Sequence, residues 1–270
     1  MQSDSESSLA PVLYLSHGGG PLPLLGDPAH QELINCLEHV VTLFTKPAAI
    51  LVISAHWEAE VATIGSGEQP PLIYDYYGFP QEAYEIDYAA KGAPALAQKI
   101  SALLNQSGIE AVLDEARGFD HGMFVTLKIM YPHADIPCVQ LSLLKSMDPQ
   151  QHIRLGNALA DLRKENVLVI GSGSSFHNLK YFLSPSNDEG QRMNESFEQW
   201  LLTLCCDREL DEGKRADRLV HWQDAPGARH CHPREEHLLP LHVCYGMTRT
   251  AAKEIFKVDL MGKKISCYLW

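Results

Sequence analysis

Strand-length apolar runs alternate with helix-spaced apolar stripes along the whole chain, and no other feature limits its possible folds as tightly. Pro11–Ser16 (PVLYLS), Ala48–Ala55 (AAILVISA), Pro137–Leu143 (PCVQLSL), Val167–Ile170 (VLVI) and Lys264–Trp270 (KISCYLW) read as strands, with Glu110–Leu113 a shorter one. Between them, helical spacing covers Ala29 to Phe44, then Leu96, Ile100, Leu103 and Leu104 after Pro94, with Gly108 beyond the end. It returns after His121 as far as Met130, in His152–Lys164, in Asn194–Cys205 and in Leu238–Phe256. Residues 66–82, rich in Gly, Pro and Tyr, and the charged stretch 206–236 read as irregular. The alternation predicts one α/β domain over residues 11–270, after a disordered tail at 1–10. Its centre is a mostly parallel or mixed sheet with helices on both faces. Ligands in such sheets sit beyond the carboxyl ends of the strands.

Length and charge narrow the function classes. A chain of 270 residues can bury a large core. Its net charge of -12 argues against a nucleic-acid or anionic-membrane partner. No apolar run approaches the ~18 residues of a membrane span. The start, MQSDSESSLA, is acidic and polar, unlike a secretion signal. Seven cysteines (Cys36, Cys138, Cys205, Cys206, Cys231, Cys244, Cys267) are odd in number and include no CxxC pair. They indicate neither a disulfide framework nor a zinc ribbon, and a reducing cytoplasm is expected.

Histidines carry the chemical signal. His17 follows LYLS, His56 follows ILVISA, and His177 follows VLVIGSGSS. A single histidine is ordinarily a surface or hydrogen-bonded core residue. Three at the ends of separate strands converge on one edge if those strands are parallel. His121 in GFDHG and His237 in HPREEHLLPL stand in loop-like or helix-start settings. Two imidazoles plus a carboxylate or a third imidazole suit Fe(II) or Zn(II). His237, Glu236, Glu235, His232 and His230 are the candidates for the third ligand, and spacing alone does not choose among them.

Competing motifs fail. His17-Gly18-Gly19-Gly20 matches an esterase oxyanion loop, but the chain lacks the accompanying G-x-S-x-G elbow. Gly171 and Gly173 lack the third glycine of a dinucleotide loop, where Phe176 stands. There is no H-E-x-x-H, no P-C-x-x-C and no P-loop. Tyr74, Tyr76, Tyr77 and Phe79 crowd one loop, either as ordinary packing or as a wall for a flat aromatic substrate. Asp120 beside His121 reads as a loop turn or as an oriented acid–base pair.

Six ordered motifs, LSHGGGP, ISAHWE, YDYYGFP, GFDHGMF, SGSSFHNL and HPREEHLLPLHV, resemble the class III extradiol ring-cleavage dioxygenases, most closely the 4,5-DOPA dioxygenase group. The resemblance runs from about residue 11 to residue 246. It implies a non-haem Fe(II) enzyme that opens a catechol such as DOPA with O2. Zn(II) is a competing occupant, because zinc generally outcompetes Fe(II) for nitrogen donors. It further implies His17, His56 and His237 as metal ligands, with Glu236 the alternative to His237. His177 becomes the acid–base residue, close enough to join the metal when substrate is absent. His121 becomes a partner of substrate or oxygen, and Tyr76, Tyr77 and Phe79 line the substrate. The contrasting reading is a Memo-like metal- or ligand-binding protein of the same fold. A weaker third is a zinc hydrolase using the same histidines. Oligomeric state is not readable.

Overall fold

The strands β1 (Val12–Ser16), β2 (Ala49–Ala59), β3 (Ala62–Gly65), β4 (Leu72–Ile73), β5 (Ala111–Asp114), β6 (Phe119–Asp120), β7 (Cys138–Leu144), β8 (Val167–Gly173), β9 (Glu254–Leu260) and β10 (Lys263–Leu269) form where the apolar runs stand, and at several places the runs did not mark. The helices are α1 (Gln31–Val40), α2 (Pro94–Gln106), α3 (His121–Met130), α4 (Pro149–Ala158), α5 (Leu179–Phe182), α6 (Asp188–Cys206), α7 (Glu212–Val220), α8 (Ala228–Cys231) and α9 (Leu239–Thr248). This computed structural model describes residues 9–182 and 187–270. Most of the tail expected at 1–10 therefore lies outside the described residues. Ala10 already belongs to the fold: its N–H donates to the Arg163 carbonyl at 2.9 Å, and its carbonyl accepts from Arg163 Nε at 2.8 Å.

The main sheet has eight strands in the order β5-β3-β7-β2-β8-β1-β10-β9. Its four central strands, β7, β2, β8 and β1, are mutually parallel. β10 and β9 add antiparallel at one edge, and β3 pairs antiparallel with β7 near the other. The sheet is thus mixed with a parallel centre, a single α/β domain as the alternation predicts. β1, β7 and β8 are buried at every position, because helices cover both faces. Neighbouring residues of β8 show the two faces. A side chain at Gly171 would meet Cys244 and Pro240 on the α9 side, whereas the Ser172 hydroxyl reaches the Gly122 carbonyl in α3.

Three expectations need correction. The helix expected over Leu238–Phe256 ends at Thr248, and Glu254–Leu260 is a strand. Arg249 takes a left-handed conformation (φ 50°) and its N–H closes onto the Tyr245 carbonyl, so the chain turns without the glycine that ordinarily marks such a stop. The stretch 206–236 is not irregular throughout, since it holds α7 and α8. α7 is capped by Asp211, which accepts from Lys214 N–H at 3.0 Å. Its Arg215 is buried and donates to the Leu204, Asp207 and Leu210 carbonyls, so a residue that reads as surface charge belongs to the core. Residues 66–82 include β4, which pairs with β6 through Leu72↔Phe119 and Ile73↔Asp120. No described helix is long and apolar enough to cross a membrane.

Candidate metal centre

Parallel pairing of β1, β2 and β8 carries His17, His56 and His177 to one edge of the sheet. His17 directly follows β1. Gly18 then turns the chain at φ 80°, where a Cβ would lie 2.7 Å from Pro23 Cγ and 3.0 Å from His30 Cδ2. His56 lies inside β2, not after it, in a stretch where the register with β7 shifts between Ile53 and Glu58. Such a bulge re-aims side chains. His237 stands just before α9. Its carbonyl accepts from Tyr14 OH at 2.8 Å and from Ser174 N–H at 3.0 Å. Gly173 permits that approach, since a Cβ there would lie 2.1 Å from the same oxygen.

The rings meet with nitrogens inward. His17, His56 and His237 each offer a ring nitrogen, and the three lie within 4.8 Å of one another. The Ser172 hydroxyl donates to Gly122 O at 2.6 Å and so accepts from His17 Nδ1 at 2.9 Å. This fixes the His17 proton on Nδ1 and leaves Nε2 unprotonated. Nε2 of His17 faces Nε2 of His56 at 3.0 Å. His237 Nδ1 donates to Glu236 Oε1 at 3.0 Å, and its buried Nε2 has no hydrogen-bond partner. Burial, with the neighbouring imidazoles, holds His17 and His237 well below the ordinary histidine range; His56 is pushed down to about 3. Neutral imidazoles are the ligand form.

Carboxylates orient the remaining rings. Asp75 Oδ1 accepts from His121 N–H at 3.0 Å and from His121 Nδ1 at 2.8 Å, and Asp75 Oδ2 lies 3.6 Å from His56 Nδ1. Burial raises the Asp75 pKa, but the hydrogen bonds and charge of His121, with His56, outweigh it and bring the carboxyl down to about 2. Glu236 Oε1 lies 3.2 Å from His177 Nδ1, and the His177 ring stacks on His237 with centroids 3.3 Å apart. His177 thus groups with Glu236 and His237, and not with His17 and His56.

Asp75 and Ser172 were not among the expected site residues. Asp120 does not serve His121: it is fully buried and accepts from Ser54 Oγ at 2.8 Å, from Gln140 Nε2 at 2.5 Å and from Arg117 at 3.2 Å. Of the other third-ligand candidates, Glu235 pairs with Arg229, His230 packs on Tyr181, and His232 Nε2 donates to the Ser175 carbonyl in the core. Tyr76, Tyr77 and Phe79 line the cavity of about 440 Å³ in front of the histidines, with His121 and His177. Tyr74 does not; its hydroxyl donates to the Ile86 carbonyl.

Buried core histidines give a pH prediction. Burial pushes His152 down to about 4 and His232 to about 3. Unfolded, each takes up a proton near pH ~6.5; folded, each stays neutral to much lower pH. Between these limits the unfolded state binds more protons, so stability is intact above about pH 6.5 and falls as pH drops toward 4. Each group contributes at most about 1.4 kcal/mol per pH unit. The urea midpoint of the metal-free protein is expected to drop from about pH 7 to about pH 5; an unchanged midpoint contradicts this.

Comparison with known proteins follows the same lines. Residues 10–269 match the family described as the catalytic LigB subunit of aromatic ring-opening dioxygenase. The chain is 41% identical to the dioxygenase tasH of Hapsidospora irregularis, over 99% of this chain and 87% of that protein. It is 38% identical to the 4,5-DOPA dioxygenase extradiol of Beta vulgaris, over 95% of this chain and 92% of that one. The crystal structure of uncharacterized protein JW3007 from Escherichia coli K12 superposes with a TM-score of 0.76 at 29% identity, covering 96% of this chain and 99% of that chain.

Proposed function

Because the chain belongs to the LigB family of aromatic ring-opening dioxygenases, we propose that it is a metal-dependent extradiol enzyme whose ligands are His17, His56 and His237. The observation that carries this reading is the buried, partnerless His237 Nε2 aimed at the facing Nε2 atoms of His17 and His56. An unpaired buried nitrogen costs about 1–3 kcal/mol, and a cation shared with the neighbouring imidazoles relieves it. The donor set therefore fits a divalent metal. Fe(II) is the proposed ion, with Zn(II) able to compete. Glu236 acts as the hydrogen-bond acceptor behind His237, not as a ligand.

A divalent iron held there would supply Lewis acidity that lowers a phenol pKa and a redox partner for O2. The protein's own groups do the rest. His177, its Nδ1 turned to Glu236, leaves Nε2 to take a proton from one catechol hydroxyl. His121, held at Nδ1 and N–H by Asp75, offers Nε2 to the substrate or oxygen. Tyr76, Tyr77 and Phe79 form the wall against which the aromatic ring lies. The Tyr76 hydroxyl is occupied by the Ala83 carbonyl, so this residue acts by shape. The reaction breaks the ring bond beside the diol, and both atoms of O2 enter a semialdehyde carboxylic acid. DOPA, named for the Beta vulgaris relative, is the first catechol to test. All seven cysteines are free, which supports a reducing, cytoplasmic setting.

After anaerobic Fe(II) loading, oxygen uptake with a panel of catechols and a yellow ring-opened product are the expected results. Silence across the panel at full iron occupancy favours a Memo-like binding protein. Asp75→Asn tests the orienting carboxylate. It is expected to lower kcat/KM about 10–100-fold while leaving the far-UV spectrum unchanged. Unaltered kinetics would remove Asp75 from the account.

A further inference from the structure

The cavity in front of the histidines differs chemically from one built for an amino acid. Its apolar lining includes Leu22, Phe79, Phe176, Leu179, Phe182 and Met261. Among the described residues, no lysine or arginine lines it. Imidazoles aside, the one charged lining residue among the described residues is Asp75, an acid whose oxygens already face His121 and His56. The mouth is apolar as well. Tyr77 is 91% exposed and Leu179 61% exposed, more than the other large hydrophobics described as exposed, and both stand on this cavity. Exposed apolar residues gathered on one concavity mark a ligand site.

We infer that the natural substrate is a catechol whose ring carries an uncharged, apolar substituent, alkyl or aryl, lying along this wall and reaching the Tyr77–Leu179 rim. The inference rests on the ring-opening reading for the choice of catechol as the anchoring group. A zwitterionic side chain fits poorly. Its carboxylate meets no lysine or arginine among the described lining residues and shares the space with Asp75, while its ammonium meets a carboxylate that His121 already holds. An unpaired charge taken out of water is strongly disfavoured, whereas an apolar group gains from the same transfer. Discrimination therefore comes from rejecting charge as much as from attracting hydrocarbon.

The test compares 4-propylcatechol, 3-(3,4-dihydroxyphenyl)propionate and DOPA, which share the catechol and the chain length. Anaerobic calorimetric titration of the iron-loaded protein is expected to give a Kd for 4-propylcatechol at least about tenfold below the other two. Leu179→Arg, at an exposed position, is expected to narrow that gap by improving binding of the propionate. DOPA or the propionate binding as tightly as 4-propylcatechol overturns the inference, as does failure of all three to bind. Oxygen uptake on the same samples separates the two claims. Selective binding of 4-propylcatechol without oxygen consumption by any of the three supports the assignment of the pocket and contradicts the ring-opening function.

Discussion

His237→Ala is expected to lose metal retention and to bring ring opening to background, and His17→Ala and His56→Ala are expected to do the same. The three imidazoles contribute nitrogens from three separate parts of the chain, after β1, inside β2 and before α9, so each substitution breaks the three-nitrogen set. Two donors are too few to hold a divalent ion against water. Folding is expected to survive, because the hydrogen bonds an alanine removes, His17 Nδ1 to Ser172 and His237 Nδ1 to Glu236 among them, join side chains and take nothing from the sheet ladders. Iron content after anaerobic loading and desalting checks this directly. Wild-type iron content in any of the three variants would contradict its ligand assignment. His39→Ala is the control: His39 is exposed on α1, its ring meets the edge of Phe256, and it does not line the cavity, so iron and activity are expected to be unchanged.

His177→Ala is expected to separate metal from turnover. His177 groups with Glu236 and His237 and stands outside the His17–His56–His237 set, so most of the iron is expected to remain. Removing a positioned proton acceptor costs about 10²–10⁴ in rate. The loss is expected in kcat, with the acid limb of the pH–rate profile altered and partial rescue by added imidazole. A variant that loses its iron along with its activity would make His177 a ligand and not a base. Glu236→Gln is the companion experiment, since one oxygen faces both the His177 and His237 Nδ1 atoms.

The convergence of His17, His56 and His177 was legible in the sequence because each follows or sits within a strongly apolar run, and parallel strands bring such positions to one edge. Choosing His237 from its neighbours was not legible by spacing. His230, His232, Glu235 and Glu236 lie within seven residues of it, and only the turn into α9 decides which side chain faces the cavity. Asp75 was hidden for a different reason. It reaches His121 across 46 positions through the β4–β6 ladder, and two-residue strands leave no periodicity to read. Asp120, adjacent to His121 in sequence, drew attention that belonged to Asp75. Ser172 sits in a Gly-Ser stretch that suggested nucleotide or esterase loops, whereas its hydroxyl fixes the His17 tautomer. α7 was masked by its charges, since Arg215 spends its guanidinium on buried carbonyls.

The most direct test of a three-histidine iron centre is one titration with two readouts. Fe(II) is added anaerobically to the metal-free protein, and each portion is then exposed to O2 with an excess of each catechol of the panel in turn. The account predicts that ring-opening activity rises linearly and stops at one iron per chain, with one O2 consumed for each ring opened. Full binding of one iron per chain with no oxygen uptake, or activity that persists in His237→Ala without iron, would contradict it.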